Sequence, residues 1–354
     1  MGMPSVAISF TELAATAIKR GERGIIALIL KEKKPPTTNP ATCVSNEDVP
    51  TTLTQANQEQ IKLALMGYVN MPRKVIAYTL ADSAEDYTDA LNYLKTVKFD
   101  YLVVPTVETD GKQQDIAAYV KSQRAAGKLI KAILPNVTGD HEGIINYATP
   151  DAIVGDKRYT AEQYCSRIAG IIAGTPLSIS CTYAPLSELT DCTRLTKEEM
   201  DAAVDAGKFI IWWDGEKVKT ARGVNSLTTL TSEKNTQFQK IKIVDAMDMM
   251  SSDIRMTAED NYIGKYPNNY DSKCLLISAI GSYFDGLIMD KVISKYEIGI
   301  DIAANRKYLK GRGVDVESMS DDDIKTADTG AAVYLTCKLS ILDAIEDIVL
   351  PISI

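Results

Sequence analysis

With 354 residues, 45% of them hydrophobic and 24% charged, the chain carries enough apolar material for one large core or two ordinary ones. Its formal net charge is −8, with Lys and Arg scattered along the chain. That argues against nucleic acid as the main ligand, because phosphate neutralisation requires a basic face.

From residue 25 apolar runs alternate with amphipathic stretches. IIALILKE (25–32), KVIAYTLA (74–81), DYLVVPTVE (100–108) and LIKAILPNV (129–137) read as buried strands, with helices in TLTQANQEQIKLALMGYV, SAEDYTDALNYLKTVKF and DIAAYVKSQRAAGK between them. This rhythm predicts βαβ units and a mainly parallel sheet with helices on both faces. PPTTNPATCVSNEDVP (35–50) reads as a long polar connection. Ser83 with Glu85 or Asp86 has the spacing of a helix-capping box. Beyond residue 150, AEQYCSRIAGIIAG and LTKEEMDAAVDAGK read as helices closed by glycine, and FIIWWDGEKVKTARGV as a hairpin turning at Asp214-Gly215. Two long helices follow. Roughly Glu233 to Ala258 places Ile243, Met247, Met250 and Ile254 on one stripe, and roughly Asp271 to Ser294 does the same for Leu276, Ile280, Tyr283 and Leu287. DNYIGKYPNN turns between them, so the pair is expected to pack as a helical hairpin. VESMSDDDIKTADTG (316–330) reads as a solvated loop.

Signatures of catalysis are absent: the sequence has no GxGxxG after the first strand, no GxxxxGK[ST], no GxSxG and no HExxH. The single histidine, His141, reads as a surface residue. Cys43, Cys165, Cys181, Cys192, Cys274 and Cys337 lie far apart with no C-x-x-C pair, which predicts neither a zinc site nor a disulfide framework and fits reduced thiols in a cytoplasm. MGMPSVAISF lacks the plan of a secretory signal, and no run reaches the ~18 apolar residues of a membrane span. Val6 stands where a myristoylation signal needs Ser or Thr. Two stretches look site-like. Trp212-Trp213-Asp214 could stack a sugar or base, or serve as core and edge residues at a strand end, which is the preferred reading. KGRG (310–313) could bind an anion, but as a glycine-rich turn after a helical stretch it reads better as a C-cap. The acidic run Ser320 to Asp323 lacks the Gly and Glu spacing of a calcium loop.

The two ends are more informative. Val6, Ile8 and Phe10 alternate with small residues, the period-two pattern of a half-buried strand, and TELAATAIKRGERG separates them from the body with Gly21 and Gly24 as flexible points. AAVYLTCKLS (331–340) reads as a strand, LDAIED as a break, and IVLPISI as a terminal strand that Pro351 confines to a sheet edge. Such strands either close the protein's own sheet or add to the sheet of a neighbour.

The PSVAISF arm followed by AIKRGERGIIALILK, then ARGVNSLTTLT (221–231), FQKIKIVDAMDMMSSDIR leading to YIGKYPNN, and the terminal VYLTCKLSILDAIEDI together resemble the contractile tail sheath proteins of bacteriophages and phage-tail-like bacteriocins. The chain is similar to the short sheath type of Gram-positive phages and defective prophages. The resemblance implies an α/β fold with a mainly parallel sheet and flanking helices, a C-terminal α+β sheath domain, and extended terminal β-strand arms. The implied divisions are 1–24 for the N-terminal arm, 25–205 for the α/β domain, 206–340 for the tube-facing domain and 341–354 for the C-terminal arm. It implies a non-enzymatic helical homo-oligomer around a tail tube, with baseplate and tail terminator proteins as further partners, no cofactor, no nucleic acid and no membrane insertion. Assembly would take place in the bacterial host cytoplasm, before release by lysis. On this reading Val6, Ile8 and Phe10 form the N-terminal arm strand, and Ile348, Val349, Leu350, Ile352 and Ile354 the C-terminal one. The receiving sheet is expected to combine the hairpin of Ile211, Trp212 and Trp213 with the strand of Tyr334, Leu335 and Cys337. The tube contact is expected at Arg306, Lys307, Lys310 and Arg312. An α/β enzyme without a recognisable motif and a non-contractile strand-exchange module are the alternatives.

Overall fold

The computed structural model describes residues 17 to 353; Val6, Ile8, Phe10 and Ile354 lie outside them. The described chain forms two compact units. One comprises residues 21 to 249 together with Asp343 onward, the other the residues up to Arg20 together with Met250–Leu342.

The first unit is built on strands β1 (Ile25–Glu32), β2 (Ala41–Cys43), β3 (Lys74–Ala81), β4 (Tyr101–Val103), β5 (Lys131–Pro135) and β6 (Ile144–Tyr147) and helices α1 (Gln55–Leu65), α2 (Thr88–Leu94), α3 (Gln113–Ala125) and α4 (Ala161–Ala173). Strands β7 (Asp151–Val154), β8 (Lys157–Thr160) and β9 (Asp191–Cys192) make a small separate sheet, and α5 (Lys197–Asp205) leads to β10 (Lys208–Phe209) and to the hairpin of β11 (Ile211–Trp213) and β12 (Val218–Thr220). The main sheet has the order β10-β6-β5-β4-β1-β3-β2, parallel throughout except for β2 at its edge. β1 is an unbroken apolar run because both of its faces are covered. Ile26, Leu28 and Leu30 pack with Ile61 and Leu65 of α1 and Ile168 and Ile172 of α4. Ile25, Ala27 and Ile29 pack with Ala90 and Leu94 of α2 and Ile116 and Val120 of α3. The period-two alternation of one strand thus sorts residues into two cores.

Some local readings shift. The Ser83 capping box does not form: the chain turns out of β3 through an Ala84 N–H to Ala81 carbonyl bond, and α2 starts at Thr88, whose N–H donates to Asp86 Oδ1 (2.8 Å). The strand expected over 100–108 ends at Val103, before Pro105, and IINY of β6 forms a strand that no sequence signal marked. In the second unit α6, which begins in the first unit, spans Ile241–Asn261 and is followed by α7 (Tyr270–Met289), β13 (Ile293–Ile300), α8 (Ile302–Gly311), α9 (Asp321–Thr326) and β14 (Leu335–Ile341). Tyr283 of α7 donates to Asp253 of α6 (2.8 Å). Among the described residues α7 alone is long and apolar enough to cross a membrane, but it packs against β13 and buries Lys273, Tyr283, Phe284 and Leu287. The acidic 316–330 segment is not wholly loop: Ser320 and Asp323 form a capping box that starts α9.

A buried charge network fastens the base of α6 to the main sheet. Asp245, nearly fully buried, meets Arg23 (2.5 Å), Lys131 (3.0 Å) and the Tyr101 hydroxyl (2.6 Å). Asp248 takes Lys131 (2.5 Å) and a two-pronged Arg124 (2.8 and 3.0 Å). Burial alone would push the Asp245 carboxyl up, but Lys131 and Arg23 outweigh it and hold the group below the usual carboxylate range. Its contribution is therefore complete above the unfolded carboxylate pKa and is lost as pH falls through the lower folded value.

Both tryptophans, Trp212 and Trp213, lie in this unit, so their fluorescence reports its unfolding alone. Asp245→Ala should destabilise it by about 3–5 kcal/mol, because the substitution leaves buried cations short of a partner; an unchanged denaturation midpoint would contradict the network's role. A second test concerns the α1–α4 contact, where a Cβ on Gly170 would stand 2.4 Å from the Ala64 carbonyl oxygen. Gly170→Ala should cost about 1–3 kcal/mol through forced separation of the helices, read by the same fluorescence.

Candidate assembly site

Catalytic candidates disperse in the fold. His141 is half-buried and local in its role: its Nδ1 accepts the Gly143 N–H (2.9 Å), and burial holds its pKa below the ordinary value. All six cysteines are free, and among the described residues no three His, Cys, Asp or Glu side chains converge on a position that could hold a metal ion. Trp212 packs on Tyr183 (5.7 Å between centroids) and Trp213 lies under Arg194 (4.5 Å). Asp214 caps the hairpin turn by accepting the N–H groups of Glu216 and Lys217 (both 2.9 Å) and pairs with Lys219. KGRG closes α8 as a C-cap, with Gly313 at φ +80° and its N–H on the Lys310 carbonyl.

The expected receiving sheet is corrected. Ile211, Trp212 and Trp213 pair only with β12, whereas Leu335 and Cys337 belong to β14, which pairs antiparallel with β13. Tyr334 lies just outside that ladder, its carbonyl accepting from Asp301 N–H (3.0 Å) and its ring beside Tyr308. The reason is that VISKYEIGI supplies β14 with a longer and better matched partner: Ile300 faces Leu335, Ile298 faces Cys337 and Tyr296 faces Leu339. Reading the second long helix through to Ser294 obscured this strand, although its Ile and Tyr content signals it.

One face of the β13–β14 sheet is seated on α7. Tyr296 packs its ring at a tilt against Phe284 (5.1 Å between centroids), donates to Asp285 (2.9 Å) and fills the space over Gly281. Among the described residues neither strand has a second ladder partner, so each presents an edge of unpaired N–H and C=O groups. Lys295, Glu297, Thr336, Cys337 and Lys338 along it are exposed.

Residues 342 to 353 form neither helix nor strand. Ile348, Val349, Leu350 and Ile352 are all exposed, Val349 at 92% and Leu350 at 74%. A run of four such residues in water is unusual, since single exposed apolar side chains are common but contiguous ones mark interaction surfaces. On α8 the four cations differ in role. Arg306 holds the following loop, donating to the Val316 (2.9 Å) and Met319 (3.2 Å) carbonyls and to Asp321 (2.9 Å). Lys307 and Lys310 project into solvent, and Arg312 donates to the Tyr308 hydroxyl (3.2 Å).

Comparison with known proteins accounts for a chain with these surfaces. Residues 81–226 match the model of the phage tail sheath protein central domain, and residues 233–354 that of the phage tail sheath C-terminal domain. The tail sheath protein of Clostridium phage phiCD119 is 37% identical over 353 residues, covering 98% of each chain. The crystal structure of a sheath tail protein from Desulfitobacterium hafniense superposes with TM-score 0.69 at 19% identity, covering 84% of this chain and 94% of that one. The helical sheath of the anti-feeding prophage in its contracted state shares the fold over 100% of this chain and 99% of that one, with TM-score 0.71 at 13% identity. Neither an enzyme nor a non-contractile module is favoured by these relationships. The chain belongs to the phage tail sheath family and is a structural subunit of a tail sheath.

Proposed function

We propose that the protein polymerises helically around a tail tube by exchange of terminal strands, and that contraction of this polymer drives the tube through a target envelope. The observation that carries the reading is the coexistence of a two-stranded sheet with open edges, β13–β14, and an exposed apolar segment, Ile348 to Ile352. Addition of that segment to the β13–β14 edge of another copy would supply main-chain partners to one and burial to the other. Val6, Ile8 and Phe10 are the corresponding candidates at the N-terminal end. Main-chain pairing suits a polymer that changes shape, since the ladder is indifferent to the angle at which the linkers leave it. The role is structural, with the free energy of contraction stored at assembly.

Tube binding is assigned to the exposed face of α8, narrowed to Lys307 and Lys310, with Arg312 at its end. Arg306 is a support residue because its guanidinium is occupied by the 316–321 loop. The tube protein, baseplate and tail terminator are the partners expected of such a subunit, with assembly in the host cytoplasm.

Two experiments follow. Val349→Asp with Leu350→Asp should leave the Trp fluorescence melt unchanged, since both side chains are exposed. It should raise the critical concentration for tube formation, seen by negative-stain electron microscopy with and without tail tube, by about two orders of magnitude or more. Normal polymers would refute strand exchange by this segment. Lys307→Glu with Lys310→Glu should weaken co-sedimentation with tail tubes and abolish its salt dependence, whereas Arg306→Gln should loosen the 316–321 loop; tube binding unaffected by the double reversal would remove α8 from the interface.

A further inference from the structure

Residues 343 to 347 lie on the first unit and are held there by charge, not by apolar packing. Asp343 pairs with Lys240, and Asp347 with Arg222 (2.5 Å). Between them Glu346, only 6% exposed, accepts hydrogen bonds from Thr182 Oγ1 (2.5 Å) and Ser180 Oγ (3.3 Å). Its second oxygen stands 3.7 Å from Lys240 Nζ and 3.9 Å from Arg222 Nε with no hydrogen-bond donor. Ile345, in the same stretch, is 88% exposed. The segment is therefore docked acid side in and apolar side out. The clamp itself is well placed: Arg222 follows β12, Lys240 immediately precedes α6, and Val224 and Lys240 form a backbone bridge.

The energetics are close to balance. Glu346 gives up its hydration for two hydroxyl hydrogen bonds and two cations that attract it without donating to it, and a nearly buried carboxylate in that position recovers little net stability. The flanking pairs are partly open, Asp343 at 41% and Asp347 at 75% exposed, so salt screens them. The Asp245 network, further along at the start of α6, is enclosed and screened far less.

We infer that Arg222 and Lys240 form a releasable latch on the root of the C-terminal segment. Engaged, the latch leaves the free segment to begin at Ile348; released, it begins at Asp343, and residues 343 to 347 add about 16 Å of reach at ~3.3 Å per extended residue. The purpose of that reach rests on the strand-exchange reading, since a strand seated in another copy must stay paired while subunit bodies move. The existence of the latch does not rest on it.

Limited proteolysis of the unassembled full-length protein with a glutamate-specific protease tests the latch independently of polymerisation. Cleavage after Glu346 is compared with cleavage after Glu317, which is 84% exposed and serves as the internal reference. The ratio should rise about tenfold between ~0.1 M and ~1 M salt as the screening length contracts. Arg222→Gln with Lys240→Gln should give the high ratio already at ~0.1 M with an unchanged Trp fluorescence melt, while Val349→Asp with Leu350→Asp should keep the wild-type ratio. A ratio indifferent to salt, or equal in the wild type and the Arg222/Lys240 variant, would overturn the latch.

Discussion

An isolated two-stranded sheet leaves each strand with one edge of peptide groups that only water or another strand can satisfy. In this protein that constraint falls on β13 and β14, and the rest of the second unit is arranged around it. α7 covers one face of the pair through Phe284, Gly281 and Tyr296, which fixes the sheet as a rigid platform. β14 then leads directly to a terminal segment whose apolar side chains stand in water. The platform and the segment have complementary deficits, and the proposed strand exchange in a helical polymer of identical chains would resolve both at once.

Under the proposed strand exchange, force carried by the terminal segments would have to reach the body of each subunit, and the first unit has two kinds of anchor for it. Arg23, at the entry to β1, pairs with Asp245, which also takes Lys131 and the Tyr101 hydroxyl in an enclosed network. The root of the C-terminal segment is tied by Arg222 and Lys240 at a more open site. Both anchors meet the N-terminal end of α6, Lys240 just before it and Asp245 in its second turn, and this helix continues into the second unit. One anchor is enclosed and the other, on the latch reading, adjustable, a division that would suit a polymer that changes shape.

How much of this could be read in the sequence follows from the physics of each signal. The parallel sheet was legible because buried strands such as IIALIL are continuous apolar runs. The terminal strand expected from IVLPISI is absent from the single chain, where residues 342 to 353 form no strand, because a lone edge segment has no ladder to join, and Val6, Ile8 and Phe10 lie outside the described residues. The partner of β14 was missed because VISKYEIGI follows an apolar helix without a breaking Gly or Pro, so the helical reading ran on. The Ser83 box failed because a strand-exit turn claimed the same residues, while the equivalent Ser320 box, free of such competition, starts α9. The acidic clamp at residues 343 to 347 had no local signal at all: its cations lie more than a hundred residues earlier, and only the fold brings them to Glu346.

Cysteine crosslinking tests the central claim most directly. Cys337 is exposed on β14. Chains retaining Cys337 would be mixed with differently tagged chains carrying Cys337→Ser and one introduced cysteine at one of positions 348 to 352, both with Cys274→Ser and the four remaining cysteines buried. Assembly on tail tubes followed by mild oxidation should yield disulfide-linked pairs containing both tags for at least one position, and none before assembly. Polymers that form normally yet give no mixed-tag pair at any position would contradict the pairing of the C-terminal segment with the β13–β14 sheet of another copy.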